Sequence, residues 1–301
     1  MTGFRKLLVP LDGSRLAEAV LPAARLLAEQ FEATVSLLHV LERDAPEVVH
    51  GEPHLRSVQE ADAYLERVAE RCACQGASVE SHVHPSEERD VAVSIIEHAR
   101  EFGADLILLT THGWGGMRDL LVGSIAQQVL GRGALPVLLV RPTGDASPFE
   151  VRSLLVPLDR TKEHDGAVLP VVEMLATVLH SSVHFVVAVA TLGTITRDAA
   201  AAAVLTPTAT RLALQMEEDE ARAYLERIAQ DLRAAELSVT LEVRRGEAAN
   251  CIVAAAKTTM ADLIVMATHG RAGWGAFWAG SVASKLLSRT QQPLLLVRVP
   301  D

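Results

Sequence analysis

The sequence predicts an α/β protein of two tandem, doubly wound domains, each a five-stranded, Rossmann-like parallel sheet. Three observations predict it. The chain repeats its own motifs in order, half against half. Short apolar runs alternate with stretches whose apolar residues fall at helical spacing, the pattern of βαβ crossovers. The 301 residues are 49% hydrophobic and only 4% aromatic. Both cores are therefore mostly Val, Leu, Ile and Ala, which suits parallel strands covered on both faces.

The repeat comes first because it fixes the organisation. Lys6-Leu-Leu-Val-Pro-Leu-Asp12 returns as Ser153-Leu-Leu-Val-Pro-Leu-Asp159, and Ala19-Val-Leu-Pro22 as Ala167-Val-Leu-Pro170. Ala63-Tyr-Leu-Glu-Arg67 returns as Ala223-Tyr-Leu-Glu-Arg227, Thr111-His-Gly113 as Thr268-His-Gly270, and Leu138-Leu-Val-Arg141 as Leu295-Leu-Val-Arg298. At roughly 150 residues per domain this is a duplicated domain. The expected boundary lies in Pro142–Pro148, rich in Pro and small polar residues, giving domains 1–147 and 148–301.

Within one repeat, Leu7–Leu11 is a short apolar run with Pro10 near its end, strand one. Ser14 to about Glu29 carries Leu16, Val20 and Leu27 at helical spacing, with Ser14 as N-cap. Thr34–Leu41 is strand two, Ser57 to about Ala73 a helix, and Ala77–Val83 strand three. Val91–Phe102 is a helix, Asp105–Leu109 strand four, Ser124–Leu130 a helix, and Pro136–Val140 strand five. The second repeat reads the same way from Leu154 to Val299. A doubly wound sheet places a ligand outside the carboxyl ends of its strands, where the strand order reverses.

The chemistry-bearing feature follows strand four. It reads Thr110-Thr-His-Gly113, nine residues, then Gly123-Ser124, and again Ala267-Thr-His-Gly270, nine residues, then Gly280-Ser281. Gly113 and Gly270 stand just past a strand end, where bare backbone can turn close to a ligand. Gly123-Ser124 and Gly280-Ser281 open a helix, whose free N–H groups and dipole favour a phosphate. These glycines either cradle phosphate or only make tight turns. No Gly-Lys-Ser/Thr is present, so the loop is not a Walker P-loop. Asp12 and Asp159 end strand one in the same context. Each could accept from an adenine amino group or a ribose hydroxyl, or could close an Asx-turn or cap a helix.

Composition narrows the partners. A net charge of -10 disfavours nucleic acid and anionic membrane. The three cysteines, Cys72, Cys74 and Cys251, show no framework spacing and fit a reducing cytoplasm. The start at Met1–Lys6 runs into strand one without a leader, and the apolar run 183–195 is shorter than the ~20 residues of a membrane span. The expectation is a soluble, cytoplasmic protein. His50, His54, His82 and His84 lack partners at a convincing metal-ligand spacing, and no metal or catalytic residue is assigned. Trp114, Trp274 and Trp278 fall in the glycine loops and His112 and His269 beside them. Packing or a loop lid is expected of the former, loop bracing of the latter.

These motifs resemble the universal stress protein family, specifically its tandem-domain members. The resemblance covers nearly the whole chain, once per half. It implies a five-stranded α/β sandwich related to the adenine nucleotide α-hydrolase folds. Nucleotide-binding members carry Gly-x-x-Gly, nine residues, Gly-Ser/Thr, with an aspartate after strand one. By this resemblance Gly113, Gly123 and Ser124 hold phosphates, Asp12 faces the adenosine and the backbone at Val40 borders adenine. Pro10, Thr110 and Ile125 complete the first set. The second set is Pro157, Asp159, Ala188, Ala267, Gly270, Arg271, Gly280, Ser281 and Val282.

The halves depart from the pattern differently. Thr110 and Ala267 stand at the first glycine of the motif. Trp114 contrasts with Arg271, Arg89 with Gly246, and Asp12-Gly-Ser14 with Asp159-Arg-Thr161. Binding at both sites, one or neither stays open.

The resemblance implies an ATP-binding or related adenine-nucleotide-binding regulatory protein of the stress response, with or without Mg. It also implies a pseudo-dimer of the two domains and a homodimer of chains. A module that has lost the nucleotide, and a slow ATP hydrolase, are the alternatives. No general base is evident in the loops apart from Asp119.

Overall fold

A computed structural model describes residues 3–73, 76–111, 124–142, 148–191, 206–268 and 282–299. The chain divides into two compact units. The described residues up to 150 form the first unit together with 293–299. Residues 151–268 and 282–292 form the second.

In the first unit β1 (Lys6–Pro10) is followed by α1 (Arg15–Glu18), α2 (Leu21–Phe31), β2 (Thr34–Glu42) and a small hairpin of β3 (Val48–Val49) and β4 (Glu52–Pro53). Then come α3 (Val58–Cys72), β5 (Val79–Glu88), α4 (Val91–Glu101), β6 (Leu106–Thr110), α5 (Ser124–Arg132) and β7 (Val137–Val140). The second unit runs β8 (Ser153–Leu158), α6 (Lys162–Leu179), β9 (Ser182–Val189), α7 (Pro207–Ala234), β10 (Val239–Arg245), α8 (Ala248–Thr259), β11 (Leu263–Thr268) and α9 (Val282–Arg289). The last strand, β12 (Leu294–Arg298), belongs to the first unit.

The first unit's sheet runs β5-β2-β1-β6-β7-β12. Its strands are parallel except β12, which pairs antiparallel with β7 through Leu294↔Leu139 and Leu296↔Val137. The second unit's sheet runs β10-β9-β8-β11, all parallel. Central strands are apolar throughout because helices cover both faces. Leu7, Leu8 and Val9 are fully buried, as are Leu154, Leu155 and Val156. No described helix is long and apolar enough to cross a membrane.

β12, expected as the fifth parallel strand of the second domain, instead pairs antiparallel with β7 in the first unit, and two elements of the first half also differ from the expectation. The helix expected over Ser14–Glu29 is two helices, α1 and α2, because Pro22 sits in the first turn of α2. A proline ring clashes with the carbonyl four residues back and supplies no N–H. Its counterpart Pro170 lies inside the continuous α6, and nothing in the structure explains why this proline is accommodated where Pro22 is not. Strand three, expected over Ala77–Val83, is β5 and extends to Glu88. Between Val40 and Glu42 its register runs from His84 to Glu88, a bulge that absorbs Pro85, which cannot donate to the ladder.

Candidate functional site

The strand order reverses between β1 and β6 in the first unit and between β8 and β11 in the second. The expected sites lie at these two edges. Register gathers their residues. Lys6 pairs with Thr34 and Ser153 with Ser182, so Val40 and Ala188 occupy equivalent rungs, as the motif alignment requires. Counting on from Leu8↔Ile107 and Leu155↔Ile264, Leu11 draws level with Thr110 and Leu158 with Ala267. Pro10 and Pro157 pair with Leu38 and Val186 just below. Val40 is buried on β2 and Ala188 half-buried on β9. Both belong to the strand beside the aspartate.

Asp12 and Asp159 build the same turn. Asp12 Oδ1 accepts from the Ser14 amide at 2.9 Å and the Ser14 hydroxyl at 2.7 Å. Asp159 Oδ1 accepts from the Thr161 amide at 3.0 Å. Both are Asx-turns, one of the two readings the sequence allowed. Ser14 also caps α1 by accepting from the Ala17 amide at 3.1 Å. The second carboxylate oxygens differ in neighbours. Asp12 Oδ2 lies 3.5 Å from His50 Nε2, and Asp159 Oδ2 lies 2.5 Å from His164 Nδ1.

His39 braces the first turn from beneath. Its Nδ1 lies 2.8 Å from the Leu11 carbonyl. A carbonyl can only accept, so Nδ1–H donates, and burial pushes the imidazole below its ordinary pKa. Sequence reasoning missed this residue because His39 reads as one more position of strand two.

At the ends of β6 and β11, Thr110 is buried and Ala267 half-buried. The Thr111 amide donates to the Val140 carbonyl at 2.9 Å. Thr111 and Thr268 are each 5% exposed, and their hydroxyl oxygens are buried without a partner among the described residues. These hydroxyls recur at the same position of the two repeats. Neither threonine was among the expected site residues, although both stand in the repeated Thr-His-Gly.

The helices that follow are held at their far ends. Asp90 caps α4, accepting from the Val93 amide at 3.2 Å, and pairs with Arg132 in the last turn of α5. Glu247 caps α8, accepting from the Asn250 amide at 3.0 Å. It also binds Lys285 at 2.8 Å and Arg289 at 3.1 Å on α9. Hydrogen bonds from these basic groups hold both carboxyls below the usual range. Ser124 is the exposed first residue of α5, Ile125 is half-buried behind it, and Val282 opens α9. Gly113, Gly123, Gly270, Arg271, Gly280 and Ser281 lie outside the described residues. So do Cys74, His112, Trp114, Asp119, His269, Trp274, Trp278 and most of the Pro142–Pro148 linker.

His82, His84 and His98 form a separate cluster. The His82 and His98 rings are 5.0 Å apart, His84 Nδ1 lies 3.3 Å from His98 Nε2, and Phe102 stacks edge-on against His82 and His98. No group of three or more His, Cys, Asp or Glu that could hold a metal is present among the described residues.

The strand order, the switch-point edges and the doubled Asp turn define a tandem doubly wound α/β protein with one candidate ligand edge per half. The universal stress protein family model matches residues 3–141 and again 150–298, and the chain belongs to that family. It is 32% identical to universal stress protein YxiE of Bacillus subtilis, over 46% of this chain and 99% of that protein. It is 25% identical to a universal stress protein of Mycolicibacterium smegmatis, over 97% of this chain and 96% of that protein. In fold it is similar to the crystal structure of a universal stress protein from Archaeoglobus fulgidus, with a TM-score of 0.72 at 17% identity, covering 100% of this chain and 99% of that one.

Proposed function

We propose that this chain binds an adenine nucleotide, ATP by first choice, at its switch-point edges, and serves the stress response as a regulator rather than a turnover enzyme. One observation carries the reading. Buried hydroxyls without a partner among the described residues, Thr111 and Thr268, recur at the same edge of both units, beside an aspartate turn. Both settings offer polar capacity to a ligand at the place where doubly wound sheets take one. Ser124 opens α5, and the glycine spacing read in the sequence would supply backbone donors suited to phosphate oxygens. Asp12 and Asp159 would take the ribose or adenine end.

The test is direct. Protein purified and then denatured should release an adenine nucleotide, or bind added ATP, with or without Mg. Gly123→Glu and Gly280→Glu, which set a carboxylate against the phosphates, should each remove one site's share of binding. A chain that releases and binds none has lost the nucleotide and works through partners. Sustained phosphate release from ATP would instead assign hydrolysis. A homodimer of chains belongs to the same proposal, and sedimentation as a monomer would count against it.

A further inference from the structure

The segment between β2 and α3 lies against the Asp12 turn at three successive points. β3 and β4 pair antiparallel through Val48↔Pro53 and Val49↔Glu52. His50 and Gly51 join them with φ of 50° and 87°, the left-handed pair of a tight hairpin. From this hairpin, His50 Nε2 reaches Asp12 Oδ2 at 3.5 Å. Leu55 covers Gly13 so closely that a Cβ there would meet its Cγ at 2.9 Å. Glu52 accepts from the Arg15 amide at 2.5 Å and pairs with the Arg15 side chain at 3.4 Å.

Two strands of two residues have no stability of their own. The hairpin is therefore ordered by what it rests on, and Val48 at its start is 53% exposed. Asp12 Oδ1 is committed to the turn through Ser14. Oδ2 is the oxygen that a ribose hydroxyl or an adenine amino group would approach, and His50 already stands beside it.

We propose that the β3–β4 hairpin is a strap over the first unit's nucleotide site, and that His50 is an internal occupant of Asp12 Oδ2 which the nucleoside end of the ligand displaces. The inference rests on the nucleotide-binding reading above and adds a competitor to it. Binding at this site carries the cost of breaking the His50–Asp12 contact. A nucleotide that takes Asp12 loosens the hairpin.

The test uses the full chain with Gly280→Glu, so that the first site alone is read. It compares this protein with one also carrying His50→Asn. Asparagine tolerates the left-handed conformation at position 50 but is too short to reach Asp12. Calorimetry should show ATP bound about two- to five-fold more tightly by the His50→Asn protein, the range of one partly exposed polar contact. Hydrogen exchange of residues 46–54 should quicken when ATP is added to the His50 protein. An unchanged or weaker affinity in His50→Asn, or exchange at 46–54 that ATP leaves unaltered, overturns the strap while the nucleotide site stands. If neither protein binds ATP, the nucleotide reading itself fails, and the strap with it.

Discussion

Arg160 occupies, at φ 66°, the left-handed position in the second aspartate turn that Gly13 occupies at φ 92° in the first. The two turns share their hydrogen bond from residue i+2 to the aspartate. They differ in what holds the middle residue in a conformation that L side chains resist. Gly13→Ala should destabilise the first unit by about 1–3 kcal/mol, since it adds left-handed strain to a clash with Leu55. Arg160→Gly relieves the strain and loses only the 3.4 Å pair with Glu217, worth a few tenths of a kcal/mol. It should raise stability, or leave it unchanged, in chemical denaturation. A loss above about 1 kcal/mol would show that Arg160 does more than fill the turn.

The Leu11 carbonyl and His39 give the fold a defined acid response. The buried His39 has a pKa below its ordinary 6.5, so the unfolded chain binds more protons in acid. Stability from this group is complete above pH 6.5 and is lost as pH falls below it. His82 and His184, also lowered by burial, add to the same slope. His39→Leu should cost about 1–2 kcal/mol at pH 8 by removing the bond to Leu11, and should flatten the decline between pH 7 and 5. An unchanged slope in denaturation midpoints across that range would assign the acid response to the other histidines.

Thr111→Val and Thr268→Val test whether the buried hydroxyls are retained for a ligand. Each replaces a buried polar atom by a methyl of similar volume. Each should hold or raise thermal stability by about 1 kcal/mol without nucleotide and weaken ATP binding at its own site. Equal affinity with and without the hydroxyls would remove them from the site.

Glu247 ties α8 to α9 through Lys285 and Arg289. Its carboxyl, lowered below its ordinary 4.5 chiefly by the Lys285 hydrogen bond, contributes stability above pH 4.5 that disappears as pH falls through the folded value. The partners are a third or more exposed, so solvent screens the pair. Glu247→Gln should cost no more than about 1 kcal/mol at pH 7 and nothing near pH 3. Titrating the variant against the parent by urea unfolding reads both numbers.

Much of the fold was legible in the sequence because its signals are local. Leu7-Leu8-Val9 reads as a buried strand from three adjacent side chains, and Ser14 caps its helix three residues on. Legibility failed where local signals were balanced. Pro22 and Pro170 stand in the same motif, yet one separates two helices and the other lies within one. The bulge that carries β5 past Pro85 depends on pairing with β2, which no window of β5 contains.

For the site, the duplicated motif made Val40 and Ala188 equivalents, and the strand register gives both the same rung. The motif could not show that Asp12 and Asp159 both close Asx-turns, that His39 braces Leu11 from 28 residues away, or that Thr111 and Thr268 bury hydroxyls. By itself the sequence determined two repeated α/β units, their strand and helix order, and the location of the loops. Periodicity and chain-neighbour chemistry encode those directly. Only the tertiary structure decided which residues meet: His50 and Asp12, Leu55 and Gly13, Glu247 and Lys285. Such contacts join residues far apart in the chain, and their distances depend on how helices pack on the sheet and on the turn each loop takes.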